Sequence, residues 1–510
     1  MRVCLMSLSK MARTAVLLFG LCAGVSLAAP GRAGPVKHVL LISVDGLHAL
    51  DLRNYIRIHP DSHLAALAAQ GVEYTHASTV VPADSFPGLL ALVTGGTPAV
   101  TGVYYDNTWD RSLAPPSGPC NATGAHVLYN EAVDMPRGQG IDPAKLPRDP
   151  VHGCRPVYPW QYLRVNTVFN VVRAGGGYTA WADKHPAYAI VQGPSGNGVN
   201  DIYTPEIGAD GEGHPDTDAV TASIARTETY DTAKMHAVIH EVDGYRHDGH
   251  VRAPVPVLFG LNLQSVNVAQ KLAGYQSADG TPTPSLDAAL THVDNLIGQL
   301  MGELARRHLD RSTLLIVTAK HGNGPIDPDQ VRHISIGRLR AMIAAAADGE
   351  PAQLTADRSA LIWLHDQRTT GTVARTLLAD RQRLGIERVL WGRRLGLLFP
   401  SPSHDMRTPD LIVIPQPGVI YAKDGSTKRA EHGGFDMDDT HVALLVSGPM
   451  LPDPGRRLDM PVSTTDVAPT MLSALGFDPD ALQAVREQQT PLLPGVAWSR
   501  LAARRGGSGR

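Results

Sequence analysis

The chain is poor in charge. Asp, Glu, Lys and Arg make up 19% of its 510 residues, below the roughly 25% of ordinary soluble domains. That shortfall excludes a charge-driven disordered chain and a coiled coil. An excess of one sign is also missing. The 46 Lys and Arg residues face 49 Asp and Glu, a net charge of −3 with no basic block, which argues against a nucleic-acid duplex as partner. Cysteine is scarce, at four residues. Beyond the N-terminal stretch there is no second apolar run that could span a bilayer. What is plentiful is core and turn: 43% hydrophobic residues, 50 Gly and 39 Pro. That suits one large folded body, or several smaller ones, with many loops and no low-complexity segment.

Residues 1–28 place Arg2, Lys10 and Arg13 around and ahead of an apolar stretch from Ala15 to Leu27, which ends in Ser26-Leu27-Ala28. A basic start, a short apolar centre and a small-x-small end predict a cleaved export signal, and hence a periplasmic or secreted protein with no stable membrane span. Cys4 and Cys22 leave with that signal. Cys120 and Cys154 remain, flanking a loop-like stretch with Pro136, Pro143, Pro147 and Pro150. An even pair in an exported chain predicts a disulfide.

Residues 37–45 (KHVLLISVD) form a continuous apolar run, the pattern of a strand buried on both faces. Similar runs stand at 255–261, 312–318, 410–414 and 441–447. Between them, Leu286, Leu290, Val293, Ile297, Leu300 and Leu304 recur at helical spacing. Residues 87–95 begin with Pro and end with Gly, as a short buried helix would. This alternation predicts an α/β fold, a mostly parallel sheet covered by helices on both faces. The main domain is expected over 36–480, with loop-rich insertions near 104–160 and 190–250 and a tail at 481–510. Asp45, Asn262 and His321 end strands, where ligands bind in such sheets.

Four segments carry chemistry: Val44-Asp45-Gly46; Asp84-Ser85-Phe86-Pro87 running on to Leu92-Val93-Thr94-Gly95; Thr318-Ala319-Lys320-His321-Gly322; and Glu431-His432-Gly433-Gly434. Ser85 stands where a helix N-cap belongs. The backbone N–H groups and positive end of a helix would lower the energy of an alkoxide and of a bound phosphate. The order and spacing of these segments, with Thr464-Thr465-Asp466-Val467-Ala468-Pro469 near the end, resemble the type I phosphodiesterase/nucleotide pyrophosphatase family of the alkaline phosphatase superfamily. The resemblance spans about residues 36–480 and implies a three-layer α/β/α sandwich. It further implies two divalent metal ions, usually zinc, a hydroxyl nucleophile that becomes phosphorylated, and a small phosphorylated substrate. On this resemblance Ser85 is the nucleophile and a metal ligand, Asp45 and His321 bind the metal beside it, and His432 binds the other. Asp106 or Asn107 stands near the family's phosphate-holding asparagine.

The departures are as informative. The family places Asp before the His of the third segment; here that residue is Lys320. Where it has Asp-x-x-x-His, this chain reads Asn262-Leu263-Gln264-Ser265-Val266. An ammonium at Lys320 would weaken a divalent cation and could itself neutralise phosphate charge and favour an ionised Ser85. Two functions follow: an exported phosphoester hydrolase acting through Ser85 and Lys320, with metal binding reduced or lost, or an inactive relative that binds an anionic ligand. Trp181-Ala182-Asp183-Lys184-His185-Pro186 reads as a substrate pocket, with Asn262 and the residues near Asn107, as a relocated set of metal ligands, or as a solvated loop. Asp436, Asp438 and Asp439 read either as cation ligands or as a polar turn. Leu89, standing where Arg is needed, argues against sulfatase chemistry, and neither a G-x-S-x-G elbow nor a P-loop is present.

Overall fold

A computed structural model describes residues 36–135, 140–205, 220–449, 451 and 455–496. The expected signal at 1–28 lies outside them. The strands of the main sheet are β1 (His38–Val44), β2 (Val72–Ser78), β3 (Ala180–Ala182), β4 (Asp201–Tyr203), β5 (Leu258–Leu263), β6 (Thr313–Thr318), β11 (Leu444–Ser447) and β12 (Arg456–Ser463). A second sheet holds β7 (Gln353–Ala356), β8 (Ala360–Trp363), β9 (Ile386–Trp391) and β10 (Leu411–Pro415).

The main sheet runs in the order β12-β2-β11-β6-β1-β5-β3-β4. Its centre is parallel: β1 pairs with β6 on one side and β5 on the other, and β3 joins β5 and β4 in the same sense. Only β11 runs against its neighbours β6 and β2. The buried run HVLLISV therefore becomes the central strand, covered on both faces as its lack of alternation predicts. Helices α2 (Ile224–Val242), α3 (Ser265–Leu272) and α4 (Pro284–Arg306) pack on one another, and α2 packs on β5. Helix α1 (Ser85–Thr94) packs with the helices at Val168–Ala174 and Val467–Ala474. The architecture is the expected α/β/α sandwich.

Several details differ from the sequence expectation. The strand expected at 410–414 forms as β10, but in the second, antiparallel sheet, which has its own apolar core around Leu354, Ile362, Val389 and Val413. The stretch 190–250 is not all loop, since α2 lies inside it and buries Tyr230, Met235 and Val238. Residues after 480 contribute Leu482, Val485 and Leu493 to the main core. Cys120 and Cys154 are joined as expected.

Candidate active site

Because β1, β3, β5 and β6 are parallel, their carboxyl ends open on one edge of the sheet, and the residues just past those ends meet there. Asp45 follows β1, Asp183 and Lys184 follow β3, Gln264 follows β5, and Lys320 and His321 follow β6. Asn262 is the penultimate residue of β5. Gly46, at φ 82°, turns the chain sharply after Asp45; a Cβ there would strike the Gln270 side chain.

Helix α1 brings Ser85 to this edge. The N-cap is Asp84, in extended backbone, so Ser85 is the first helical residue rather than the cap. Its hydroxyl is thereby left for other partners. All ten residues of α1 are buried, as an all-round apolar helix should be. Gly88 allows α1 to press on the end of β6, because a Cβ there would fall 2.0 Å from the Lys320 carbonyl oxygen.

The centre of the site is the Asp45 carboxylate, which is fully buried. Lys184 Nζ lies 2.9 Å from its Oδ2 and Lys320 Nζ 3.2 Å from its Oδ1. Gln264 Nε2 donates to Oδ2 at 2.6 Å, and Asn262 Nδ2 at 3.4 Å. Asp183, held by the Trp181 indole N–H at 3.0 Å, places Oδ1 3.7 Å from Lys320 Nζ. The Tyr188 ring faces both ammonium groups, 5.3 Å from Lys184 Nζ and 4.5 Å from Lys320 Nζ. Two carboxylates and two ammonium groups thus form a buried, roughly neutral block.

Their proton affinities follow from that arrangement. Burial would raise the Asp45 carboxyl, but the Lys184 and Lys320 ammonium groups outweigh it and hold it well below the usual range. Burial would lower Lys184, yet Asp45 leads a set of neighbours that push it well above its ordinary value. For Lys320 burial prevails and lowers the ammonium, with Asp183 and Asp45 offsetting it only in part.

Ser85 Oγ is reached from two sides. His321 Nε2 lies 3.1 Å away and Lys184 Nζ 3.3 Å away. His321 Nδ1 lies 3.0 Å from the Gly322 carbonyl oxygen, which can only accept, so Nδ1 carries the proton. Burial, and then His432, hold His321 well below the usual imidazole range. The ring is therefore neutral, and Nε2 accepts the Ser85 proton. The His432 ring sits 4.0 Å from that of His321, centroid to centroid. Its Nδ1 faces Asp84 at 3.2 Å and its Nε2 faces Glu431 at 3.6 Å. Glu431 is buried and ion-paired with both Lys271 and Lys428.

A cavity of about 280 Å³ opens over Ser85, with Lys184, His185, Tyr188 and His432 in its wall. Of the residues singled out from sequence, Ser85, Asp106, Lys184, His185 and His432 line it. Asp45, Asp183, Asn262, Lys320 and His321 stand behind that wall and are fully buried. Lys320 thus does not meet a ligand directly; the ammonium at the hydroxyl is that of Lys184, which follows β3, three strands along the sheet from β6. Asn107 lies outside the cavity wall, in a hairpin opposite Leu128. The segment 181–186 is buried throughout, so it is no solvated loop. Asp436 and Asp439 hold the buried Arg358 at 2.5 and 3.1 Å, and the acidic run is a polar turn built around that guanidinium. Sequence reasoning missed Gln264 as a partner of Asp45, and also Tyr188 and Asn130, which lines the cavity. Gln264 had one readable signal: it is the first residue past a buried strand.

The donor set does not fit a two-zinc centre. A zinc ion needs about four N, O or S donors at ~2.0–2.3 Å. Asp45, the carboxylate at its heart, is taken up by two ammonium groups and an amide. Among the described residues no three His, Cys, Asp or Glu side chains converge as a metal site.

The sequence profile described as type I phosphodiesterase/nucleotide pyrophosphatase matches residues 39–436. The chain belongs to that family. No curated protein matches its sequence. Solved structures similar to it include murine ectonucleotide pyrophosphatase/phosphodiesterase 5, at 16% identity over 87% of this chain and 96% of that one, with a TM-score of 0.56. An inactive variant of that murine protein in complex with AMP is similar at 15% identity, 87% and 96% coverage and a TM-score of 0.56. The human protein of the same name aligns at 16% identity over 86% and 95%, with a TM-score of 0.55. At these identities the likeness is one of fold. In this member of the phosphodiesterase family Ser85 stands at the carboxyl edge of the sheet with Lys184 and His321 against its hydroxyl.

Proposed function

We propose that this protein is an exported phosphoester hydrolase that acts through a Ser85 phospho-enzyme, with lysine ammonium groups supplying the positive charge that metal ions supply elsewhere in the family. One observation carries the reading: Lys184 Nζ touches both the Ser85 hydroxyl and the Asp45 carboxylate. An ammonium 3.3 Å from Oγ favours the alkoxide and attracts a phosphoryl oxygen to the same place. Lys320, held beneath by Asp45 and Asp183, keeps the block from becoming a net negative charge that would repel phosphate. It is a positioning residue.

In the first step the Ser85 Oγ–H proton passes to His321 Nε2 while Oγ bonds to phosphorus and the ester P–O bond breaks. Water then cleaves the phosphoserine and Oγ recovers its proton. The small cavity, walled by Phe86, Tyr129 and Tyr188, suits a compact phosphorylated molecule with an apolar or aromatic group, and the AMP bound to the murine relative is of that size class. The N-terminal signal pattern and the Cys120–Cys154 disulfide support a periplasmic or secreted location.

The test is hydrolysis of bis-p-nitrophenyl phosphate and p-nitrophenyl phosphate by the purified protein, with and without a chelator. Turnover that resists chelation and disappears in Ser85→Ala is expected. Turnover that appears only on adding zinc, or that survives in Ser85→Ala, would overturn the reading. The buried ion block is complete without a ligand, which favours a binding-only role as the second reading. That role predicts phosphate binding with no turnover on either substrate.

A further inference from the structure

We infer that His185, oriented by Asp134, is the general acid that protonates the leaving group and then the base that activates water. This rests on the hydrolase reading above and adds a residue pair to it. His185 lines the cavity that holds Ser85 and is 3% exposed. Its Nδ1 faces Asp134 Oδ2 at 3.4 Å. Asp134 is 5% exposed, and among the described residues neither of its carboxylate oxygens has a hydrogen bond. A buried carboxylate is costly to keep without partners. This one has the imidazole as its charge partner. Lys145, the other titratable group at Asp134, binds the backbone oxygen and not the carboxylate. On the ring's other side stands Tyr188, edge-on at 5.1 Å.

Nδ1 and the Asp134 carboxylate face each other at 3.4 Å without a formed hydrogen bond, so the carboxylate's charge favours a proton on Nδ1 and leaves the opposite nitrogen, Nε2, for the cavity. This is the arrangement in which a carboxylate stabilises an imidazolium that gives up its Nε2 proton. Such a group is needed here. An ester oxygen leaving phosphorus carries the bond's electron pair, and it must be met by a cation or a proton. Lys184 is committed to the nucleophile side, and Lys271 and Lys428 are paired with Glu431. His432 faces Asp84 and Glu431 with its two nitrogens.

The steps balance. Ser85 Oγ bonds to phosphorus and passes its proton to His321, while the ester P–O bond breaks and the leaving oxygen takes the Nε2 proton of His185. Water then loses a proton to Nε2 and its oxygen bonds to phosphorus. The Oγ–P bond breaks, Oγ reclaims its proton from His321, and His185 is again an imidazolium. The net reaction is ester plus water giving alcohol plus phosphate.

The test compares p-nitrophenyl and phenyl esters in wild type, His185→Gln, Asp134→Asn and Ser85→Ala, with thermal melts to confirm folding. Loss of a general acid costs ~10²–10⁴-fold, and more for the poorer leaving group. In His185→Gln the kcat/KM ratio of p-nitrophenyl to phenyl ester is therefore expected to rise at least ~30-fold, with a smaller rise in Asp134→Asn. An unchanged ratio in a folded His185→Gln protein, whatever the overall rate, would mean that His185 only shapes or binds, and would overturn this inference alone. Full activity in Ser85→Ala, or no turnover by wild type, would overturn the hydrolase reading and this inference with it.

Discussion

The Lys184 ammonium stands 3.3 Å from the Ser85 hydroxyl, although 99 residues separate the two in sequence and each arrives from a different element. Lys184 follows a three-residue strand and Ser85 opens a buried helix. Removing this ammonium while keeping the stem, in Lys184→Met, should lower kcat/KM by about 10²–10³-fold, the usual effect of deleting one donor to a developing oxyanion. Steady-state kinetics on p-nitrophenyl phosphate with a matched melting temperature would check this. A change confined to KM would mean that Lys184 holds substrate without assisting attack.

Ser85→Ala should remove turnover and covalent labelling by phosphate while leaving the fold in place. The N-cap is Asp84, so the variant loses side-chain bonds, those to His321 and Lys184 among them, and no cap, and the change in stability should be about 1 kcal/mol. Intact-mass spectrometry of acid-quenched reactions would read the missing phospho-enzyme, and urea unfolding the stability.

Asp45→Asn should destabilise strongly. It leaves Lys184 and Lys320 buried beside Asp183 without their shared counter-charge, and breaking a buried ion pair in this way costs about 3–5 kcal/mol. Urea midpoints for wild type and variant provide the measurement. Lys184→Met combined with Asp45→Asn should recover part of the loss.

Zinc affinity should respond to the lysines in the opposite direction. Two unit charges ~4 Å apart repel by about 4 kcal/mol at an effective dielectric of 20, so wild type should bind zinc weakly at Asp45. Lys320→Asp with Lys184→Met restores a carboxylate beside Asp45 and His321 and removes both ammonium groups. Calorimetry should then detect zinc binding that wild type lacks. Tight zinc binding by wild type, lost on Asp45→Ala, would show that the ammonium groups do not occupy the cation's place.

Asp51 gives a stability prediction away from the chemistry. Burial raises its carboxyl from 3.8 to about 7, against hydrogen bonds from the His48 N–H, Tyr275 and Gln270 that lower it. Below about pH 4 folded and unfolded states both hold the proton. As pH rises from there to about 7 only the unfolded chain releases it, so unfolding becomes more favourable over that window. At ~1.36 kcal/mol per pH unit the effect is several kcal/mol. Asp51→Asn should flatten this decline, read as urea midpoints at pH 5 and pH 8.

Much of the fold was legible because buried parallel strands are written as unbroken apolar runs. β1, β6 and α4 lie close to where HVLLISV, STLLIVT and the Leu286–Leu304 spacing place them. The second sheet was legible only in β10: β7 and β9 break their apolar runs with polar or charged residues, and pairing partners leave no mark in a local run. In the site, Asp45, Ser85, His321 and His432 were readable from short motifs at strand and helix ends. The role of Lys184 was not. Its nearness to Ser85 depends on β3 lying beside β5, and no local pattern encodes strand order. The same limit hid Asp134, which the chain supplies from a loop stretch without a recognisable motif.

The lysines at Asp45 also change what the site can sense. A bound ion exchanges with its surroundings, and its occupancy follows the concentration of that ion outside. The charges on Lys184 and Lys320 are fixed to the backbone by their own methylene chains, so dilution, competition and chelation cannot remove them. They are lost only by giving up a proton, and Lys320, whose burial already favours the neutral form, is the weaker of the two. On the proposed reading, alkalinity rather than metal scarcity is the condition that would first remove charge from this centre, at Lys320.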